Sequence, residues 1–274
     1  MTGTLVLVPT PIGNLGDISP RAAAALAQAD FIAAEDTRVS IRLLNHLEIK
    51  KPLVSYHEHN KLESGKAILA RLQAGETCAL VTDAGTPAIS DPGEDLVRLC
   101  GENGVPVTAI PGPCAAITAL AISGLPTGRF CFEGFLSVNK KSRREHLNAL
   151  QKETRTMIFY EAPHKLRATL GDLLEAFGPH RRITLCRELT KLHEETLRMT
   201  LSQAVAYYQE NDPRGEYVLI LAGEPQAEEP PALEDCLQQI ARLRSEGMSL
   251  KDACKQVSKE SGIPRNTLYD AALS

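Results

Sequence analysis

The sequence predicts an α/β fold resting on parallel strands, and three observations predict it. Three short apolar runs, residues 5–8, 78–82 and 107–110, each end in a turn punctuated by glycine or proline. These turns are Pro9-Thr10-Pro11-Ile12-Gly13 onward to Asp17, Asp83-Ala84-Gly85-Thr86-Pro87, and Pro111-Gly112-Pro113-Cys114-Ala115. Strand and helix signals alternate between them, a pattern whose crossovers require a mostly parallel sheet covered on both faces. A chain of 274 residues with 43% hydrophobic content also suffices for a substantial core. Parallel strands feeding such turns align their carboxyl ends along one sheet edge, where open α/β folds hold their ligands.

The first strand covers 5–8. Ser19 then caps a helix over 21–28, with Pro20 at its first position, where the absent N–H has no helical partner to lose. Phe31–Ala34 reads as the next strand, and Glu35-Asp36-Thr37-Arg38 opens a helix running towards Leu47. A strand over 53–56 precedes His57-Glu58-His59-Asn60, and a helix over 64–74 stops at Gly75. The strand at 78–82 and its turn lead to a helix over 93–103, stopped by Gly104, and then to the strand at 107–110. A small-residue helix over 115–123 closes this half, and the breakers Gly124, Pro126 and Gly128 mark a boundary.

Beyond it the alternation resumes. Phe130–Phe135 and Arg182–Arg187 read as strands, as do 156–160 and 217–222; helices are expected over 144–152, 165–177 and 202–209, with 137–144 a polar loop. This pattern makes a second α/β layer without specifying its strand order. Residues 226–232 read as an acidic, proline-containing linker. After it, 233–244 is amphipathic, with Leu233, Leu237, Ile240, Ala241 and Leu243 near one face. Helices over 250–260, capped by Ser249, and 265–273 flank the turn Ser261-Gly262-Ile263-Pro264 as a helix-turn-helix-like pair. The expected organisation is an N-terminal α/β domain (1–123), a second α/β domain (124–224), and a linker with a small helical domain (225–274).

No apolar run reaches the roughly 18–20 residues that cross a bilayer, and Met1-Thr2-Gly3-Thr4 enters the first strand without a basic leader. No membrane partner and a cytoplasmic location are therefore expected. The seven cysteines show no CxxC or other metal-ligand spacing, so no metal site is expected. Cys78, Cys114, Cys131 and Cys186, within or beside apolar runs, read as buried reduced thiols. A net charge of −4 argues against a protein that simply coats nucleic acid.

The turns carry the chemistry. A phosphate-binding loop would offer GxxxxGK[ST] or GxGxxG so that backbone N–H groups approach phosphate oxygens. Neither is present, and Asp17 and Asp83 bring negative charge where a phosphate would sit. An ionised aspartate is an acceptor only, so Asp83 suits amine or hydroxyl donors. Gly85 lets the backbone approach a ligand and Pro87 stiffens the loop. Such a site suits a phosphate-free, donor-rich cofactor such as S-adenosylmethionine; turns that merely punctuate the fold are the plain alternative.

The stretches 8–19, 33–38, 81–93, 110–126 and 159–164 include the strings PTPIGNLGDIS, VTDAGTPAISDPG and IFYEAPHK. They resemble the bacterial small-subunit ribosomal RNA cytidine 2′-O-methyltransferases, a branch of the tetrapyrrole (corrin/porphyrin) methylase superfamily. The likeness covers about residues 3–224, and the tail resembles that family's small C-terminal helical domain. Tetrapyrrole methylases proper carry a more glycine-rich first turn and a GDP-type second turn, whereas Pro11-Ile12-Gly13 and Asp83-Ala84-Gly85 stand here. The resemblance implies two α/β domains with S-adenosylmethionine in the cleft between them, a homodimer, and 16S rRNA or the small ribosomal subunit as partner. Carried over by motif, cofactor contacts come from Pro11, then Asp83, Ala84, Gly85, Thr86, Ala88, Ile89 and Ser90, then Cys114 and Ala115. Tyr160, Glu161 and Gly215 or Glu216 complete them.

A sulfonium methyl is already activated, so the chemistry needs a ribose 2′-oxygen aligned with the S–CH₃ bond and a group to remove its proton. His57, His59, Glu161, His164 and Lys191 are the candidates, the lysine on condition of a lowered pKa; each histidine taken alone reads as a surface or structural residue ahead of a catalytic one. Lys140, Lys141, Arg143 and Arg144, with Lys152 and Arg155, make a basic segment in an otherwise acidic chain, suited to phosphate contacts or to a solvated helix face. Arg265, with Lys251, Lys255, Lys259 and Asn266, adds a second basic group in the tail. Two other readings stay open: a methylase of a small tetrapyrrole or corrin precursor, and a nucleic-acid-binding regulator whose α/β body senses a ligand.

Overall fold

The computed structural model describes residues 2–225 and 233–273, so the linker expected at 226–232 lies outside the described residues. The chain forms two compact units, residues 1–223 and 224–274. In the first unit, β1 (Leu5–Leu7), β2 (Phe31–Ala34), β3 (Leu53–Ser55), β4 (Cys78–Val81) and β5 (Val107–Ala109) make a five-stranded sheet of order β3-β2-β4-β1-β5. Every pairing in it is parallel, with Leu5 facing both Cys78 and Val107. The helices are α1 (Pro20–Gln28), α2 (Thr37–His46), α3 (Lys61–Gln73), α4 (Gly93–Glu102) and α5 (Ala115–Ile122). Ser19 caps α1 as expected, its hydroxyl accepting from the Ala22 amide at 3.1 Å.

Side chains alternate across a strand, and the two faces of the sheet therefore bury two cores. Leu5, Phe31 and Leu80 pack with Ile68, Leu72 and Leu96 on one face; Ile32, Ala34 and Val81 pack with Leu26 and Leu44 on the other. The three turns follow β1, β4 and β5, which are adjacent in the sheet. Their carboxyl ends therefore meet at one place.

The second sheet is mixed. Its strands β6 (Phe130–Phe135), β7 (Thr156–Glu161), β8 (Arg182–Arg187), β9 (Glu195–Thr200) and β10 (Tyr217–Leu221) run in the order β6-β7-β10-β8-β9. Only β6 and β7 are parallel; the other neighbours are antiparallel. Helices α6 (Lys140–Ala149), α7 (Pro163–Phe177) and α8 (Leu201–Glu210) complete the layer, and α7 and α8 cover one face over Met157, Phe159, Leu185 and Leu219. The opposite face, Ile158, Cys186, Val218 and Ile220, packs on Ala116, Ala119 and Leu120 of α5. The helix, of composition AAITALAI, is apolar almost all round but buries only this face; Ile117 and Ala121 are exposed. Through it, the third turn at the head of α5 is held against the second sheet.

Two expectations are corrected here. The polar loop at 137–144 is helical from Lys140, because Asn139 accepts from the Lys141 and Ser142 amides at 3.0 and 3.2 Å and caps α6. Strand β9 was not expected, since Glu195 and Arg198 disguise a half-exposed edge strand as a polar connection.

The second unit contains α9 (Leu233–Ser245), α10 (Leu250–Ser261) and α11 (Arg265–Ala271), packed around Cys236, Ile240, Ala253, Cys254, Val257 and Leu268. Gly262 ends α10 in a left-handed cap. The buried line of α9 is Cys236 and Ile240, while Leu233 and Ala241, expected on the apolar face, are exposed. Among the described residues no helix is long and apolar enough to cross a membrane.

Candidate functional site

The three turns are stitched to one another. Thr10 and Gly85 exchange backbone hydrogen bonds at 2.9 and 3.1 Å, and the Thr10 hydroxyl donates to the Thr82 carbonyl at 3.1 Å. The Thr86 hydroxyl donates to the Pro113 carbonyl at 2.8 Å, tying the second turn to the third. Gly85 sits at φ +90°, a conformation that favours glycine, and a Cβ there would lie 3.3 Å from the Ile12 side chain, which would have to give way. Beyond it, Ala88 and Ser90 both hold positive φ of 68°. Asp91 holds this strained loop, its Oδ1 accepting from the Ala88 and Gly93 amides at 3.0 and 2.7 Å.

Between these turns and the second sheet lies a cleft of about 420 Å³. The first wall carries Glu35, Thr82, Asp83, Gly85, Ile89 and Asp91. Glu35 accepts from the Thr82 hydroxyl at 2.7 Å, and Asp83 Oδ1 accepts from the Asp36 amide at 3.0 Å. Burial, and then the Glu35 carboxylate beside it, push the Asp83 carboxyl above its ordinary range. Burial also raises Asp91, whose Oδ2 is buried without a partner.

The opposite wall comes from strand ends of the second sheet: Tyr160 and Glu161 of β7, Cys186 of β8, Glu188 and Lys191 beyond it, and Tyr217 and Val218 of β10 with Glu216 before it. The Tyr160 hydroxyl accepts from the Ala116 amide at 3.2 Å, and burial, with Cys114 alongside, pushes the phenol up to about 12. Glu161 is buried, accepting from the Ala162 amide at 2.8 Å and from the Thr169 hydroxyl. Lys191 Nζ lies 2.9 Å from Glu188 and 2.8 Å from Glu216. Burial opposes its charge, but the Glu216 and Glu188 carboxylates outweigh it and hold the ammonium above its usual range.

Among the described residues the two walls carry six carboxylates, Glu35, Asp83, Asp91, Glu161, Glu188 and Glu216, against the single ammonium of Lys191. Such a cleft repels phosphate and favours a cationic ligand rich in hydrogen-bond donors.

The family model for Tetrapyrrole (Corrin/Porphyrin) Methylases matches residues 4–205, the stretch that builds both walls up to β9. The chain belongs to the tetrapyrrole methylase family. A second family model, the RsmI C-terminal HTH domain, matches residues 231–274. Among curated relatives, "Ribosomal RNA small subunit methyltransferase I" of Synechocystis is 49% identical over 272 residues, covering 99% of this chain and 98% of its own. The protein of the same name from Escherichia coli O157:H7 is 46% identical over 274 residues, covering 99% and 95%. Among solved structures, the uroporphyrin-III C-methyltransferase of Thermus thermophilus complexed with S-adenosylhomocysteine shares the tetrapyrrole methylase fold. Its TM-score is 0.53 at 19% identity, covering 80% of this chain and 97% of its own.

Within this tetrapyrrole methylase cleft the structure gathers Asp83, Ala84, Gly85, Thr86, Ile89, Ser90, Cys114, Ala115, Tyr160, Glu161, Lys191 and Glu216 from the expected set. Pro11 is replaced on the wall by its neighbour Ile12, Ala88 packs inward against the first core, and Gly215 backs the Glu188 side chain. His57 and His59 follow β3, the outermost strand, and His164 is exposed on α7, so none of the three lies on the wall. The lowered pKa required of Lys191 as a base is contradicted by its two carboxylate partners.

Lys140, Lys141 and Arg144 line a second groove, about 880 Å³, with Lys165 of α7. Arg143 lines the same groove, but its side chain, 12% exposed, is paired within it, bridging Asp172 at 2.5 Å and donating to Thr169 at 2.7 Å. Arg265 is exposed at the start of α11. Sequence reasoning missed Asp91, Phe135 and Glu188 as wall residues. The Asp91-Pro92-Gly93 start of α4 was the available signal for the first; the other two reach the cleft through pairings remote in sequence.

Proposed function

We propose that this chain transfers a methyl group from S-adenosylmethionine to small-subunit ribosomal RNA, at the 2′-oxygen of a cytidine ribose in the decoding region of 16S rRNA. The observation that carries this reading is the acidic, glycine-floored cleft at the joined strand ends, which suits a cationic cofactor without phosphate. Relatives at 46–49% identity over nearly the whole chain, named ribosomal RNA methyltransferases, support the choice of RNA.

S-adenosylmethionine supplies an activated methyl on a sulfonium, together with ammonium, hydroxyl and amine donors. The residues present fit it: Asp83 and the unpartnered Oδ2 of Asp91 are acceptors, and Ala84 and Gly85 line the cleft between them without a polar side chain. Lys191 stays protonated between its carboxylates and orients Glu188 and Glu216 rather than taking a proton. Lys140, Lys141 and Arg144 hold the RNA backbone, with Arg265 of the second unit as an auxiliary contact. The protein acts in the cytoplasm as a homodimer.

The test is transfer from labelled S-adenosylmethionine to small ribosomal subunits isolated from a strain lacking the enzyme. Label in the rRNA at a 2′-O-methylcytidine, located by mass mapping, is the expected result. Label in a porphyrinogen with none in the rRNA overturns the reading.

A further inference from the structure

Strand β6 carries three exposed phenylalanines, Phe130, Phe132 and Phe135. With strict alternation, Phe132 and Phe135 would point to opposite faces of the sheet. They do not, because β6 bulges: Phe132 pairs with Ile158, Gly134 with Phe159 and Phe135 with Tyr160, leaving Glu133 as the extra residue. Ile158 and Tyr160 are two apart on β7 and share a face, so the bulge brings Phe132 and Phe135 together on the Tyr160 side. Gly134, at φ +61°, absorbs the extra residue, and the Glu133 carboxylate is held by His146 Nε2 at 2.8 Å.

The result is an aromatic group at the cleft. The Phe132 ring meets Tyr160 edge-on at 5.0 Å and the Phe135 ring lies 5.5 Å from it, tilted by 60°. Tyr160 is anchored by the Ala116 amide, so the support is rigid. Phe135 lines the cleft yet is 58% exposed. Leu136 after it is buried, and the chain then turns into α6 with Lys140, Lys141 and Arg144 exposed. An exposed, buttressed ring followed by a run of cations is the chemistry of single-stranded nucleic acid, with bases on the π face and phosphates on the ammonium and guanidinium groups.

We propose that Phe135, supported by Tyr160 and Phe132, is a stacking platform for an unpaired base of the RNA drawn to the cleft. This rests on the RNA-methyltransferase reading above. The bulge at Glu133 exists to aim that ring, and the basic start of α6 leads the strand to it.

The chain contains no tryptophan, so Phe135→Trp installs a single fluorescent reporter at the platform. Titration with a short single-stranded oligoribonucleotide quenches its emission with the Kd read from anisotropy of the labelled RNA, whereas inorganic polyphosphate leaves the emission unchanged. RNA binding without quenching overturns the proposal. So does an emission change driven by protein concentration alone, which would mean that a second copy covers the ring. In turnover on small ribosomal subunits, Phe135→Leu lowers kcat/KM for RNA by roughly five- to 150-fold, the range of one lost base stack. Phe135→Tyr stays within about threefold of wild type by the same reasoning, and the cofactor Kd of the leucine variant shifts far less than its RNA KM. Equal activity of the leucine variant and wild type overturns the platform while leaving the methyl transfer intact. Quenching by RNA in a protein that methylates no rRNA upholds the platform and removes the proposed reaction instead.

Discussion

The two walls of the cleft are built by different means. The first is backbone: three turns at the ends of adjacent parallel strands, joined by the Thr10–Gly85 and Thr86–Pro113 hydrogen bonds. The second is side chain: Glu161 bound to Thr169, and Lys191 bridging Glu188 and Glu216, on strands drawn together from residues 156–221. On the first wall Asp91 holds its loop through Oδ1 and keeps Oδ2 without a partner, whereas on the second Glu161 has both oxygens engaged and Glu188 and Glu216 share Lys191. The same residue type therefore does different work on the two sides.

Substitutions sharpen that contrast. The largest expected effect is on ligand binding at the first wall. Asp83→Ala lowers cofactor affinity by about 1–3 kcal/mol, roughly a factor of five to 150, while thermal stability stays within about 0.5 kcal/mol of wild type. Calorimetric titration and a melting curve measure the pair, and a large loss of stability with unchanged affinity would reverse the comparison. At the second wall the expected effect is on folding. Glu161→Ala leaves the Thr169 hydroxyl and Ala162 amide without their acceptor and destabilises by about 1–3 kcal/mol, a Tm lowered by several degrees.

A pH experiment separates the walls further. The ionised Asp83 attracts a cationic ligand, and its carboxyl sits above the ordinary range. On acidification it therefore takes up its proton earlier than a free aspartate, and cofactor affinity falls at a correspondingly higher pH; Asp83→Asn should remove that limb. Lys191 behaves oppositely. Its pKa is raised above the ordinary lysine range by the Glu216 and Glu188 carboxylates, so its ion pairs persist throughout the neutral range and are lost only at more alkaline pH. The smallest effect follows from this: Lys191→Arg keeps the charge and changes kcat by less than about threefold, whereas removal of a general base costs about 10²- to 10⁴-fold. A loss of that size would restore Lys191 as a base.

The first wall was legible in sequence because its determinants are local. Asp83, Gly85 and Thr86 follow one apolar run, and proline and glycine restrict their own backbone wherever they stand. The helix caps at Ser19 and Ser249 were legible for the same reason. Asn139 is an equally local signal, concealed by the basic residues after it. The second wall was legible only in part: Tyr160, Glu161 and Glu216 came from resemblance, while Glu188 and Phe135 had no local signature. Histidines 57, 59 and 164 are candidates by residue type alone; strand order places the first two off the wall, and the third is exposed on α7.

The sequence by itself determined an α/β chain with a helical tail, the three turns at strand ends and the acidic, phosphate-averse character of the second of them, because periodicity, capping and turn chemistry act over a few residues. Only the tertiary structure decided that β4, β1 and β5 are neighbours, that the second sheet is mixed, that Lys191 stands between two carboxylates and that a bulge turns Phe135 to the cleft. Each of these depends on pairing between segments far apart in the chain, where one residue of register inverts the face a side chain presents.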